Sequence, residues 1–331
     1  MRNNIVEIRD MTVEFRKPRG ALLAVNHVDF DIREGCVTAL VGESGSGKST
    51  LAFTVLNIVN TTGKILSGKV LYQGENVLKL NQEKLNSYRW DQVSMIFQSA
   101  QSALNPLMTI QEHFWETYHV HVPDAREEDV IGRFRKLLED VRLDPDRVLK
   151  LYPHELSGGM KQRVMIAFSM LLEPKVIILD EPTTALDVIT QDYIFSILDQ
   201  IHRETGVSML LLTHDIGVVA KVADRIAVMY AGRIVEVGDI FEVFYKTGHP
   251  YARALITTAP SLLDRGEDKE PIQGVPPDLI DLPSGCAFHP RCPYATELCR
   301  TQVPVLQTLG EDHQAACHHI ETFRKEAGIH V

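Results

Sequence analysis

The apolar positions of the chain change period twice. Residues 5–41 hold the short runs IVEIRDMTVEF, VDFDI and VTALV and read as β-rich. VTALV is continuously apolar, as in a strand buried on both faces. It leads into GESGSGKST, and a helix is expected to begin near Lys48. Residues 69–72 and 93–97 (VSMIF) read as further strands. From about 105 to 172 the pattern is helical. Over 127–142, Val130, Ile131, Phe134, Leu137, Leu138 and Val141 fall on one face at helical spacing. Ser157 is a cap for a helix running to Leu172, with Pro174 beyond its end. Strands and helices then alternate: VIILD, a helix over 190–204, SMLLLT, a short helix, RIAVMY and RIVEVG. This order predicts an α/β fold with a mostly parallel sheet and helices on both faces.

Near residue 246 the texture changes. Pro260, Pro271, Pro276, Pro277 and Pro283 fall within 260–285, which predicts an extended connector without a core of its own. Four of the five cysteines follow: Cys286, Cys292, Cys299 and Cys317. Cys36 stands apart and reads as a buried or strand-flanking residue.

The 331 residues suffice for one large domain and a smaller one, or for two ordinary domains. Apolar residues make up 44% and charged residues 24%, the composition of a water-soluble globular protein. A formal net charge of −10 argues against nucleic acid as a partner. No apolar run approaches the ~20 residues that span a bilayer, and MRNNIVEIRD has no signal-peptide core. The chain is therefore expected in the cytoplasm, with any membrane contact made through a partner. In a reducing compartment four clustered cysteines point to metal before disulfides.

Two motifs carry chemistry by their residue types alone. Residues 42–49, GESGSGKS, fit G-x-x-x-x-G-K-[ST] between a predicted strand and helix. Gly42, Gly45 and Gly47, with Ser44 and Ser46, let backbone N–H groups converge on phosphate oxygens. Lys48 neutralises the β- and γ-phosphates, Ser49 suits Mg²⁺, Thr50 lies beside it, and the helix N-terminus adds a positive end. VIILDEP, 176–182, is an apolar strand ending in two carboxylates. Asp180 is placed to hold Mg²⁺ through water, and Glu181 to orient and deprotonate the attacking water.

LSGGMKQR, 156–163, lies between these motifs. Together they resemble the ATP-binding cassette (ABC) ATPases. The resemblance covers residues 5–240, with every family motif present in order. It implies that Gln98, in IFQSAQSALNP, contacts Mg²⁺ and the nucleophilic water from a loop bordering a membrane partner. Ser157, Gly158 and Gly159 match the signature that closes over a nucleotide held by another subunit. Asp187, in TALD, matches the loop coupling two nucleotide sites. His214 matches a switch histidine that contacts the γ-phosphate. Phe15 is a candidate for stacking on adenine; a core or surface phenylalanine is the alternative.

Residues 246–331 resemble the C-terminal extension of the oligopeptide/dipeptide/nickel importer ATPases, the group that includes the D-type subunits of dipeptide permeases. The matching stretches are GHPYARAL (248–255), GVPPDL (274–279) and LPSGCAFHPRCPYA (282–295), then Cys299 and Cys317. In several members of that group four cysteines carry a four-iron, four-sulfur (4Fe-4S) cluster. The spacing C-x5-C-x6-C-x17-C does not by itself give this; four thiolates suit Zn²⁺ or an iron–sulfur cluster, and free or disulfide-bonded cysteines are the remaining alternative. His289, His313, His318 and His319 read as solvated.

The expected molecule is therefore a P-loop ABC ATPase core over 1–245, with an N-terminal antiparallel β-subdomain and a helical subdomain at about 100–170. A C-terminal metal-binding extension over 246–331 follows. Its expected function is to hydrolyse ATP to power peptide import, with nickel or oligosaccharide import as the alternative cargo. A soluble ABC ATPase of the DNA or ribosome class, or a non-catalytic partner subunit, fits less well. The first usually has a coiled-coil insert or two cassettes; intact Glu181 and His214 argue against the second. The resemblance implies ATP, Mg²⁺ and a 4Fe-4S cluster (or Zn²⁺) as cofactors. It also implies a second ATPase subunit (heterodimer or homodimer), two transmembrane permease subunits and an external binding protein, with the chain peripheral on the cytoplasmic face of the membrane.

Overall fold

The structure is a computed structural model that describes residues 3–59, 62–98, 103–184, 186–258 and 272–329. Its strands are β1 (Asn4–Lys17), β2 (Gly20–Arg33), β3 (Val37–Val41), β4 (Gly63–Tyr72), β5 (Glu75–Asn76), β6 (Val93–Ile96), β7 (Val176–Asp180), β8 (Ser208–Thr213), β9 (Arg225–Tyr230), β10 (Arg233–Asp239), β11 (Gln307–Gly310) and β12 (His313–Ala315). The helices are α1 (Lys48–Val55), α2 (Gln82–Asp91), α3 (Ile110–His121), α4 (Glu127–Asp140), α5 (Pro145–Val148), α6 (Gly158–Ser169), α7 (Val188–Thr205), α8 (Ile216–Val222), α9 (Ile240–Tyr245), α10 (Pro250–Thr257), α11 (Glu297–Thr301) and α12 (Ile320–Glu326). Two compact units result, one of Met1–Lys79 with Leu211–Val331 and one of Leu80–Leu210, so the chain leaves the first unit and returns to it along β8.

In the first unit β2, β1, β4 and β5 form an antiparallel sheet in that order, as the β-rich opening predicts. The buried run Val37–Val41 becomes β3 and pairs in parallel with β9, Thr38 against Arg225 through Val41 against Val228. The expected mostly parallel sheet does not continue past β9. β10, β12 and β11 add to it antiparallel. The local cause is the two-residue turn between β9 and β10. Ala231 and Gly232 have φ of 47° and 80°, the paired positive values that fold a tight hairpin.

In the second unit β6 and β7 pair in parallel, Val93 with Val176 through Ile96 with Leu179. The helical stretch follows the sequence closely. Thr109 caps α3 in a reciprocal box, its amide donating to Glu112 Oε2 at 2.6 Å while its hydroxyl accepts from the Glu112 amide at 3.3 Å. Helix α4 buries Val130, Phe134 and Leu138, one row at helical spacing. Phe114 packs on Phe134 and Phe168, each at 5.3 Å between ring centres. Ser157 caps α6, which ends at Ser169, three residues before the expected Leu172. Helix α7 runs 188–205 against the expected 190–204.

Of the expected connector 260–285, residues 259–271, with Pro260 and Pro271, lie outside the described residues. The remainder carries no helix or strand, and its Ile272, Leu279 and Leu282 pack against the core of the first unit. That core joins Ile226, Val228 and Tyr230 of the sheet to Tyr251, Leu255 and Phe288 from beyond residue 246. Cys36 is buried just before β3. The expected solvation of His313 is overturned: it is 1% exposed. Its Nε2 lies 2.7 Å from Oε1 of Glu236, itself fully buried on β10. Glu236 also accepts from the Thr247 hydroxyl at 2.8 Å and from the amides of Gly248 and His249 at 2.7 and 2.9 Å. A carboxylate out of water needs such donors, and all of these come from residues C-terminal to β10. His289, His318 and His319 are half-buried and hydrogen-bonded to Cys286 O, Gln302 O and Thr296 Oγ1.

Replacing Glu236 by alanine is expected to lower the unfolding free energy by about 3–5 kcal/mol, because the Thr247 hydroxyl and the Gly248 and His249 amides lose their acceptor out of water. A urea melt of the purified chain reads this directly; a loss below about 1 kcal/mol would show that the segment after β10 is held by its apolar contacts alone.

Candidate functional site

The loop between β3 and α1 has the backbone of a phosphate cradle. Gly42 and Gly47 have φ of 154° and 108°. A Cβ on Gly42 would lie 2.2 Å from Met229 O, and one on Gly47 2.1 Å from Ala24 O. Only glycine tolerates that approach, so the loop amides are held in one arrangement ahead of the N-terminus of α1. Lys48 is 6% exposed. Its Nζ donates to Gly42 O at 2.6 Å and Glu43 O at 3.0 Å, and lies 3.5 Å from Ser46 Oγ. A buried ammonium held by the carbonyls of its own loop is available to exchange them for phosphate oxygens. Ser49 and Thr50 follow in the first turn of α1. Phe15, on β1 opposite Gly63 of β4, is half-buried, and its ring covers Gly63. His214 and Asp215 are exposed beyond β8, and Asp215 caps α8 through Val218 N at 3.1 Å.

The second unit groups the other candidates. Asp180 ends β7 at 3% exposure. Glu181 leaves the strand with a φ of 47°. Its Oε2 accepts from Gln98 Nε2 at 3.0 Å and from Thr184 Oγ1 at 3.0 Å. Sequence pairs the glutamine and the glutamate only through the family; the structure brings them into contact across 83 positions. Thr184 was not singled out, and its place three residues after Glu181 is the signal available for it. Ser157, exposed, accepts from Met160 N at 3.3 Å with Gly158 and Gly159 opening α6. Asp187 caps α7, taking the Thr190 amide at 3.0 Å and the Thr190 hydroxyl at 2.7 Å. The Thr190 bonds hold its carboxyl below the usual carboxylate range.

Cys286, Cys292, Cys299 and Cys317 line one pocket in the first unit, with His249, His289, His318 and His319 around it. Backbone bonds hold them there: the Cys286 amide donates to Cys299 O at 2.8 Å, 13 positions away, and the Cys292 amide to His289 O at 3.3 Å. Burial pushes the Cys292 thiol up to about 12 and the Cys317 thiol to about 11, and raises Cys286. Backbone amides oppose this: Phe288 and His289 donate toward Cys286, Tyr294 toward Cys292, and His319 to Cys317 at 3.4 Å. Among the described residues no three His, Cys, Asp or Glu groups converge closely enough for a single metal ion. The sulfurs surround a pocket and not a point.

Sequence reasoning also passed over Glu43 and Arg291. Arg291 Nη1 and Nη2 donate to Glu43 Oε2 and Oε1 at 2.7 and 3.0 Å. Nothing local to either residue signals the partner.

Comparison with known proteins bears on these arrangements. Residues 25–184 match the family described as ABC transporter, and residues 235–299 the family described as oligopeptide/dipeptide transporter, C-terminal region. The dipeptide transport ATP-binding protein DppD of Caldanaerobacter subterraneus subsp. tengcongensis is 41% identical over 320 residues, covering 97% of this chain and 98% of the relative. The oligopeptide transport ATP-binding protein OppD of Salmonella typhimurium is 42% identical, covering 95% and 93%. Among solved structures, a dimeric ATP-binding cassette in a post-hydrolysis state with ADP and Pi superposes with a TM-score of 0.62 at 30% identity, over 71% of this chain and 98% of that one. A Clostridium perfringens cassette, part of an ABC transporter complex, gives 0.63 at 27% identity, over 74% and 92%.

Gly47→Ala is expected to abolish ATP binding, because its Cβ would press on Ala24 O from a left-handed backbone. Fluorescence titration with a trinitrophenyl nucleotide checks this; undiminished binding would contradict the cradle.

Proposed function

The chain belongs to the ABC transporter family of ATP-binding proteins and is an ATPase of that type, and from that premise we propose that it powers the import of dipeptides or oligopeptides. One observation carries the cargo class: an ABC cassette and an oligopeptide/dipeptide C-terminal region lie on one chain, matched end to end by peptide-transport relatives. Nickel or oligosaccharides are the alternative cargo of the same machinery.

ATP is bound by Gly42, Ser44, Gly45, Ser46, Gly47, Lys48, Ser49 and Thr50, with Lys48 drawn from the loop carbonyls onto the β- and γ-phosphates and Phe15 against the adenine. Hard oxygen donors suit Mg²⁺, and Ser49, Asp180 and Gln98 offer a hydroxyl, a carboxylate and an amide oxygen. The metal, when bound, screens phosphate charge as the γ-phosphoryl departs. Glu181 orients the attacking water and takes its proton. Its existing bonds to Gln98 and Thr184 support this, since they aim one carboxylate oxygen. His214 contacts the γ-phosphate. Ser157, Gly158 and Gly159 of one subunit close over the ATP of its partner, with Asp187 between the two sites. Val188 and Ile189, 73% and 83% exposed beside Asp187, support a subunit contact there. The dimeric cassette with ADP and Pi supports the same arrangement.

ATP favours the closed pair by its differential affinity, and that energy moves the permease. The assembly proposed is this chain, a second ATPase subunit of different or identical sequence, two transmembrane permease subunits and an external binding protein. Among the described residues no helix is long and apolar enough to cross a membrane. The chain sits on the cytoplasmic face of the membrane through its partners; Leu107 and Val120, 84% and 71% exposed in the helical stretch, support a docking face there. Residues 1–245 act as the nucleotide-binding domain and 246–331 as the extension.

Cys286, Cys292, Cys299 and Cys317 hold a 4Fe-4S cluster in this proposal, with Zn²⁺ the alternative. Their common pocket and the amides donating to three of the sulfurs support it. Such a cluster cross-links four points of a segment and supplies a one-electron centre.

Glu181→Gln is expected to retain ATP binding, to hydrolyse ATP at least ~100-fold more slowly, and to elute as an ATP-bound dimer; normal turnover removes Glu181 from catalysis. Protein purified without air is expected to be brown with iron and sulfide, and Cys292→Ser to bleach it. Colourless protein with stoichiometric zinc would sink the cluster.

A further inference from the structure

The phosphate loop carries its own anion. Glu43 is its second residue, and the Glu43 carbonyl accepts from Lys48 Nζ at 3.0 Å, so the residue lies within the reach of the lysine that serves phosphate. A carboxylate there repels a polyphosphate unless it is neutralised. The neutralising group comes from 248 positions away. Arg291 grips both oxygens of Glu43, at 2.7 and 3.0 Å, in the two-pronged geometry a guanidinium makes with a carboxylate.

Arg291 is itself fixed. Its side chain is 5% exposed. Nη1 also donates to Tyr230 Oη at 3.3 Å and Nε to Gln273 O at 2.9 Å. The guanidinium lies 5.9 Å from the centre of the Tyr230 ring and 5.8 Å from that of Phe288. Those rings belong to a cluster with Tyr251, at 4.5 Å from Tyr230 and 5.4 Å from Phe288. Tyr251 reaches the same loop residue, since the Glu43 amide donates to its Oη at 2.9 Å. Both the charge and the backbone of Glu43 are thus held by side chains from beyond β10.

We propose that Arg291 is a positioning residue for ATP binding: it cancels the charge of Glu43 and, with Tyr251, fixes the phosphate loop from the C-terminal segment. Arg291 touches neither the nucleotide nor the reacting atoms and acts through Glu43. Losing it leaves the loop one unit more negative, which weakens the bound state of ATP more than it alters the chemical step.

The test is ATP·Mg titration and ATPase kinetics of the full chain in four variants. Arg291→Gln is expected to raise Kd and KM for ATP about tenfold with little change in kcat. Adding Glu43→Gln to it is expected to bring Kd back within about twofold of wild type, because no charge is left to cancel. Arg291→Lys keeps the charge and is expected to stay within about threefold. Glu43→Gln alone is expected to bind ATP as tightly as wild type or more so. A structural bolt without an electrostatic role would not be rescued by removing Glu43. A double variant as weak as Arg291→Gln, or an unchanged Kd in Arg291→Gln, overturns the proposal. Should Arg291→Gln not fold, a tenfold loss of affinity in Glu43→Gln or in Arg291→Lys overturns it as well.

Discussion

The first unit is organised by the close approach of the loop backbone to the end of β9 and the middle of β2. No side-chain carbon fits between Gly42 and Met229 O, or between Gly47 and Ala24 O. The same neighbourhood is tied by amides: Gly232 N donates to Ser46 O at 2.9 Å, and Asn26 N to Gly232 O at 2.8 Å. The loop, the β9–β10 turn and the middle of β2 therefore form one hydrogen-bonded body. A loop so held pays its ordering entropy on folding and not when a ligand arrives. Its position then dictates where β9 must end, and Tyr230 at that end is the surface on which Tyr251, Phe288 and Arg291 assemble.

The C-terminal segment is built into this arrangement. After the hairpin turn at Ala231 and Gly232, β10 would present a bare edge, a hazard for unwanted pairing. Strand β12 covers it, Glu236 opposite Ala315 and Gly238 opposite His313, with β11 beyond. The cover is specified by a buried carboxylate and not by apolar matching alone. Glu236 has several donors within 3 Å, and losing the segment would strand its charge. A second charged tie works at the periphery, where Asp312 takes Arg33 and Arg225 together. The turn that satisfies Glu236, Thr247 to His249, also brings His249 to the wall of the cysteine pocket. Edge protection, charge satisfaction and the cysteine pocket thus share a few residues.

Local chemistry made much of this legible in the sequence. GESGSGKS declares its function because few other uses demand glycine, lysine and serine at that spacing. Ser157 announces a helix because a short polar side chain satisfies free amides. The apolar row of 127–142 identifies α4 because periodicity survives without knowledge of its neighbours. Features that failed to show depend on distant partners. His313 looks like any surface histidine until β12 sets it against Glu236. Strands of three and four residues, such as β12 and β11, are too short for alternation to register. Glu43 and Arg291 each look like solvated charges.

The strand end at Asp180 and Glu181 shows how backbone conformation separates two adjacent carboxylates. In a continuing strand, consecutive side chains point to opposite faces, and Glu181 would be sent away from the side on which Gln98 lies. Its φ of 47° breaks that alternation. A non-glycine residue held there carries backbone strain, tolerated where surrounding contacts over-determine it. Those contacts are visible: Thr184 and Gln98 both hold Oε2, and Thr184 N bonds back to Glu181 O at 3.2 Å. Asp180 meanwhile stays in the strand at 3% exposure. The division of labour proposed for the pair, one carboxylate for metal and one for water, follows from a single turned residue.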